Sequence, residues 1–141
     1  MSKIIKKISC IDIGSNAIKY RQYRLLKNDS IELDTFKRIP LRLGADAFSL
    51  GKMSDKTYED FKWTLKKLKK HAMKKNSELL GIFATSAMRT FSNQSQILKK
   101  IKKDLNLKID ILSGREEASL LRYFEYKAVS YTHLRAHETM S

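Results

Sequence analysis

A chain of 141 residues with 42% apolar and 9% aromatic side chains is long enough to bury one core, and its composition excludes a disordered polymer. Its single cysteine, Cys10, rules out an internal disulfide or a cysteine-based metal cluster and fits a reducing compartment; no segment nears the roughly 18 apolar residues of a membrane span, so a cytoplasmic location is expected. The formal net charge of +14 suits polyanions such as nucleic acid, polyphosphate or anionic lipid, although lysine runs on helix faces are as readily a solvated surface.

Residues 8–13 are a β-rich run, Gly14, Ser15 and Asn16 form a turn, and residues 18–26 mix Tyr, Arg and Leu as a half-exposed second strand would. This predicts a hairpin, with Tyr20 and Tyr23 packing within the strand. After the turn signal Asn28-Asp29-Ser30, the stretch from Ile31 to Leu43 predicts a third strand, with Pro40 near its end at an edge or bulge. From Ser54, an N-cap, Tyr58, Phe61, Leu65, Leu68 and Ala72 recur at spacings of three and four, which predicts a helix with a lysine-rich outer face. Residues 79–84 return to a strand. Ser92 or Asn93 then opens a second amphipathic helix with Ile97, Ile101 and Leu105 inward, and residues 109–112 are a fifth strand. Ser113 to Glu116 has capping-box spacing and opens a third helix bearing Ala118, Leu121 and Phe124. The order βββαβαβα predicts an α/β fold, a mixed five-stranded sheet flanked by helices. Residues 129–141 resemble translated read-through of a transposon sequencing adapter and stand outside this plan. Within them His133 and His137 mimic a metal pair, but Leu134 occupies the position where a zinc-protease motif needs Glu.

Three loops carry candidate chemistry. Asp12 at a strand end, then Gly14, Ser15 and Asn16, offers a carboxylate for Mg²⁺ followed by amides and a hydroxyl for phosphate oxygens. No Gly-Lys-Ser/Thr follows, so it is not a Walker loop, and an ordinary hairpin turn has the same look. Thr85, Ser86 and Arg89 follow the fourth strand and combine two hydroxyls with a guanidinium suited to bidentate phosphate contact; an N-cap and a surface Arg are the plainer alternative. After the fifth strand Glu116 fits the capping role, which leaves Glu117, about 100° round the helix, for chemistry or as a partner of the helix dipole. All three loops fall at the same end of an alternating sheet.

In order and spacing, Ile11-Asp12-Ile13-Gly14-Ser15-Asn16, Pro40-Leu41-Arg42-Leu43-Gly44, Ala84-Thr85-Ser86-Ala87-Met88-Arg89 and Ile111-Leu112-Ser113-Gly114-Arg115-Glu116-Glu117-Ala118 resemble the exopolyphosphatase and guanosine pentaphosphate phosphohydrolase family. The resemblance implies an actin-like (ribonuclease-H-like) fold of two lobes with the site between them. It implies Mg²⁺-dependent removal of terminal phosphate from polyphosphate or guanosine pentaphosphate. Glu117 would be the general base, Arg89 would hold the phosphate being cleaved, Gly14, Ser15 and Asn16 would form the first phosphate loop, and Asp12 would help place the metal. Lys19 stands where the family usually has a phosphate-facing Arg, keeping the charge but not the bidentate geometry. Departures are Ala17 for a common Ser, Arg115 for a common acidic residue, and a second strand more polar than usual. Residues 1–128 are thus expected to be a truncated N-terminal lobe, lacking the second lobe with its glycine-rich loop and inactive alone. A homodimer of the full-length protein is left open. Two other readings remain: an actin-like sugar kinase or ATPase lobe, which shares Asp-x-Gly at the first hairpin, and a basic polyanion- or nucleic-acid-binding module, which would want aromatic residues interleaved with the basic ones. Nucleic acid is the less favoured partner, and no membrane partner is expected.

Overall fold

The computed structural model describes residues 3–113; the expected third helix, Arg115, Glu116, Glu117 and the 129–141 tail lie outside the described residues. The elements are β1 (Ile4–Ile13), β2 (Ala17–Leu26), β3 (Ile31–Pro40), α1 (Leu43–Ser49), α2 (Asp55–Lys74), β4 (Ser77–Ala84), α3 (Ser86–Thr90), α4 (Gln94–Leu105) and β5 (Asp110–Ile111). They build one mixed sheet in the order β3-β2-β1-β4-β5. β1, β2 and β3 pair antiparallel in sequence, whereas β1, β4 and β5 are parallel neighbours. None of the described helices is long and apolar enough to cross a membrane.

Each element has a local cause. The β2–β3 turn closes with Leu26 N donating to Ser30 O at 2.9 Å, while Asp29 takes the left-handed conformation (φ 66°) that Asp tolerates. Ser54 caps α2 as expected, its hydroxyl accepting from Thr57 N at 3.2 Å. On the inner face of α2, Phe61, Leu65 and Leu68 are buried against Ile11, Ile13, Ile18 and Tyr20 of the sheet, and Ile97 and Ile101 of α4 complete this layer. Full burial of a side chain such as Phe61 is worth roughly 1.5–3 kcal/mol. A second cluster on the opposite sheet face contains Ile8, Cys10, Tyr23, Leu25, Phe83 and Leu112.

Three expectations need correction, and a fourth, the opening of α4, holds with an added detail. β2 is an interior strand rather than half-exposed, with Tyr20 and Gln22 both at 0% exposure. Its polar side chains find partners on the same and the neighbouring strand: Gln22 accepts from Tyr20 Oη at 2.7 Å and donates to Asp34 at 2.6 Å, and Arg24 Nη1 meets Asp34 at 3.2 Å while its buried Nε has no partner among the described residues. The third strand stops at Pro40, and Leu43 begins a helix instead of ending a strand. Two short helices, α1 and α3, make the described order βββααβααβ. Asn93 sits at the N-cap of α4 without capping it; its side-chain amide instead holds both Met53 N (3.1 Å) and Met53 O (3.0 Å).

Candidate functional site

Because β1, β4 and β5 run parallel, their C-terminal ends reach one sheet edge together. Ile13 stands opposite Ala84, and Ala84 opposite Ile111. Hydrogen bonds continue this alignment into the loops: Thr85 N donates to Ile13 O at 3.2 Å, and Leu112 N to Ala84 O at 2.9 Å. Thr85 does not cap α3 with its side chain; its buried hydroxyl donates to Ile13 O at 3.3 Å, so it pins the fourth-strand loop to the first. The result is direct contact between two of the three sequence motifs. Ser15 Oγ and Ser86 Oγ lie 3.0 Å apart although 71 residues separate them.

The first loop is held from behind. Gly14 N donates to Ala17 O at 3.0 Å, and a Cβ on Gly14 would approach that same oxygen at 3.3 Å, which is why glycine suits the turn. The carbonyls of Ser15 and Asn16 accept from Gly44 N (2.8 Å) and Leu41 N (3.1 Å). A Cβ at Gly44 would come within 3.2 Å of the Ser15 Cβ, so any side chain there would push the start of α1 back from the loop by a few tenths of an ångström. With the carbonyls turned back toward this strap, the Ser15 and Asn16 amides have no hydrogen-bond acceptor among the described residues. Adjacent unpaired amides beside a hydroxyl form a concavity suited to anion oxygens. Leu41 and Gly44, which hold the loop from behind, are positions that residue chemistry alone did not assign; the glycine within the Pro40–Gly44 block was the available signal.

The charged residues sit around this loop with different degrees of engagement. Asp12 lies opposite Lys19 across the β1–β2 ladder, and its Oδ2 is 3.7 Å from Arg21 Nη1. Lys19, half-buried, also stands opposite Arg38 on β3. Its side chain makes no hydrogen bond to Ser15 or Ser86. Next to Asp12, burial pushes the Cys10 thiol up to about 12, with Arg21 opposing and the Asp12 charge adding to the rise. Arg89, on the exposed side of α3, donates from Nη1 to Leu112 O at 2.5 Å and so ties α3 to the end of β5. That carbonyl is one residue before Ser113, where the third motif begins. Among the described residues no three His, Cys, Asp or Glu side chains cluster as a metal site. Mg²⁺ commonly takes only one or two carboxylates beside phosphate oxygens and water, so Asp12 with a bound phosphate is a compatible donor set.

Comparison with known proteins places this arrangement in context. The model of the Ppx/GppA phosphatase family matches residues 32–137. Exopolyphosphatase 1 of Mycobacterium leprae is 23% identical over 114 residues, covering 81% of this chain and 34% of that protein. Exopolyphosphatase 1 of Mycobacterium tuberculosis is 24% identical, covering 81% and 33%. Among solved structures, an exopolyphosphatase from Cytophaga hutchinsonii superposes with a TM-score of 0.74 at 24% identity, over 82% of this chain and 36% of that one. The Ppx/GppA family member of Aquifex aeolicus gives 0.74 at 21% identity, over 79% and 36%. These likenesses establish the actin-like first-lobe fold. The chain spans about a third of the length of the curated relatives it matches.

Proposed function

The chain belongs to the Ppx/GppA phosphatase family, and from that premise we propose that it is the phosphate-gripping lobe of a phosphoanhydride hydrolase acting on the terminal phosphate of inorganic polyphosphate or guanosine pentaphosphate. The observation that carries this reading is the 3.0 Å approach of Ser15 Oγ to Ser86 Oγ, which merges two phosphate-type loops into one cluster.

In this reading the amides of Ser15 and Asn16 and the Ser15 and Ser86 hydroxyls bind oxygens of the terminal phosphate, with Gly14 permitting the turn and Thr85 fixing the loops. Arg89 supplies a guanidinium, and Lys19 adds positive charge from the neighbouring strand. Glu117, four residues beyond Ser113, is assigned as the general base that takes a proton from the attacking water. The new P–O bond forms to that water, the bridging P–O bond breaks, and the electron pair leaves with the shortened chain. Asp12, together with phosphate oxygens, would hold Mg²⁺, which supplies charge neutralisation on the phosphoryl oxygens. We further propose that the 141-residue chain binds phosphate without turning it over, the opposite wall of the site belonging to a second lobe.

Calorimetric titration of the chain with tripolyphosphate tests the loop cluster. A hydrogen bond to a charged group is worth about 1.5–3 kcal/mol, so Ser15→Ala and Ser86→Ala should each weaken binding by about ten-fold or more. Equal affinity in the parent and the double variant would remove the basis of the proposal.

A further inference from the structure

Between the edge strand β3 and helix α2 lies an open groove of about 610 Å³ lined by Lys37, Lys67, Lys70 and Lys74, with Arg38 at its rim. Lys67, Lys70 and Lys74 follow one another at spacings of three and four, forming a stripe about 10 Å long on the helix. Lys37 stands opposite Tyr20 in the β2–β3 ladder, and the Tyr20 ring meets the α2 residue His71 edge-on at 5.2 Å, so strand and helix lysines share the groove. Among the described residues none of these four lysines ion-pairs with a carboxylate. Asp34, further along β3, is engaged by Gln22 and Arg24. The surrounding positive field reaches His71, whose ring is held below its ordinary pKa by burial first and then by Lys37, Lys75 and Lys74.

The cleft between α2 and α4 shows what an ordinary charged surface looks like in this protein. There Asp55, Glu59 and Asp104 face Lys62, Lys100 and Lys103, and the charges neutralise one another. The β3–α2 groove has no such balance. Its upper end is also close to the phosphate loop in the chain: β3 ends at Pro40, and the next amide, Leu41 N, donates to Asn16 O. An unneutralised groove along a strand whose end is tied to the first loop fits a linear polyanion.

We propose that this groove holds the trailing phosphates of an inorganic polyphosphate chain whose terminal phosphate occupies the Ser15–Ser86 cluster; the inference rests on the phosphohydrolase reading above. Single-stranded nucleic acid fits less well, because its binding relies on free aromatic faces for base stacking. The exposed Trp63 ring beside the stripe already carries Lys67 Nζ at 4.2 Å from its centroid, and the floor of the groove is Ile39 and Leu68.

The test compares Lys67→Ala/Lys70→Ala/Lys74→Ala with a control of equal charge loss, Lys27→Ala/Lys99→Ala/Lys103→Ala. Alanine favours helix, so the α2 changes should leave the fold intact, as circular dichroism would check. Long-chain polyphosphate should bind the groove variant about ten-fold more weakly or worse, with the salt slope reduced by about two to three, while the control changes little. Tripolyphosphate, short enough for the loop cluster, should bind all three proteins alike. Equal weakening by both triple variants would overturn the groove in favour of diffuse charge. Equally tight, groove-dependent binding of a single-stranded oligonucleotide would overturn it in favour of nucleic acid. If tripolyphosphate fails to bind the parent while long chains bind through the groove lysines, the loop reading falls and the groove stands. If tripolyphosphate binds and the groove variant keeps full long-chain affinity, the groove falls and the loop reading stands.

Discussion

Arg89 is assigned two tasks that a pair of substitutions can separate. Its Nη1 donates to Leu112 O at 2.5 Å, tying α3 to the end of β5. A hydrogen bond from a charged group contributes roughly 1.5–3 kcal/mol, but Arg89 lies on the exposed side of α3, so solvent screening brings the expected loss in Arg89→Ala to about 1 kcal/mol. The proposed phosphate contact would be worth more, because a guanidinium presents two parallel donors to one anion. Loss of about 1.5–3 kcal/mol there corresponds to a ten- to hundred-fold fall in tripolyphosphate affinity. Arg89→Lys keeps the charge without the fork and should fall between the parent and Arg89→Ala. Denaturant unfolding reads the first task and calorimetric titration the second. A stability loss near 1 kcal/mol in Arg89→Ala, with tripolyphosphate affinity unchanged, would reduce Arg89 to a structural tie and refute its place in the site.

Gly44→Ala places a Cβ 3.2 Å from the Ser15 Cβ, so the strap must back away. The overpacking cost of about 1 kcal/mol is largely offset by the usual gain from Gly→Ala, leaving stability near the parent while tripolyphosphate affinity drops several-fold; unchanged affinity by titration would show that the strap does not set the loop. His71 has a folded-state pKa below its ordinary 6.5. The unfolded chain therefore binds more protons around and below that value, and stability should fall as pH drops through about 6.5. Chemical denaturation across this range should show a smaller slope in His71→Gln, and identical slopes would contradict the burial of the ring. Cys10, with its thiol pushed up to about 12, should resist an aromatic disulfide reagent near pH 8 in the native protein and react only on unfolding. Rapid native-state labelling would mean the second face of the sheet is open.

The strands and the two longer helices were legible because their apolar spacing is long enough to repeat; the three- and four-residue steps through Phe61, Leu65 and Leu68 are enough to declare a helix. The interior position of β2 was hidden because Arg21, Gln22 and Arg24 look solvent-facing in isolation. Their partners Asp12 and Asp34 lie on the two flanking strands, and only strand pairing brings them together. α1 and α3, at seven and five residues, are too short for periodicity to show. At the site, the shared end of the three loops followed from alternation of strand and helix, whereas the Ser15–Ser86 contact and the Gly44 strap depend on backbone approach. Asn93 opens α4 as its position suggested, but a loop 40 residues away takes its side-chain amide, which no local pattern shows.

The central claim is that these loops, with Glu117, form the first half of a phosphohydrolase site. Its most direct test is phosphate release from polyphosphate by residues 1–128 joined to the second lobe of a homologous family member, comparing the parent with Glu117→Gln. Removing a general base typically costs about 10²- to 10⁴-fold, so kcat should fall by that order, with the unfolding midpoint and polyphosphate affinity nearly unchanged. Glu116→Gln, at the position expected to cap the helix, should cost stability and spare turnover. Full activity in Glu117→Gln, or loss confined to Glu116→Gln, would contradict the assignment.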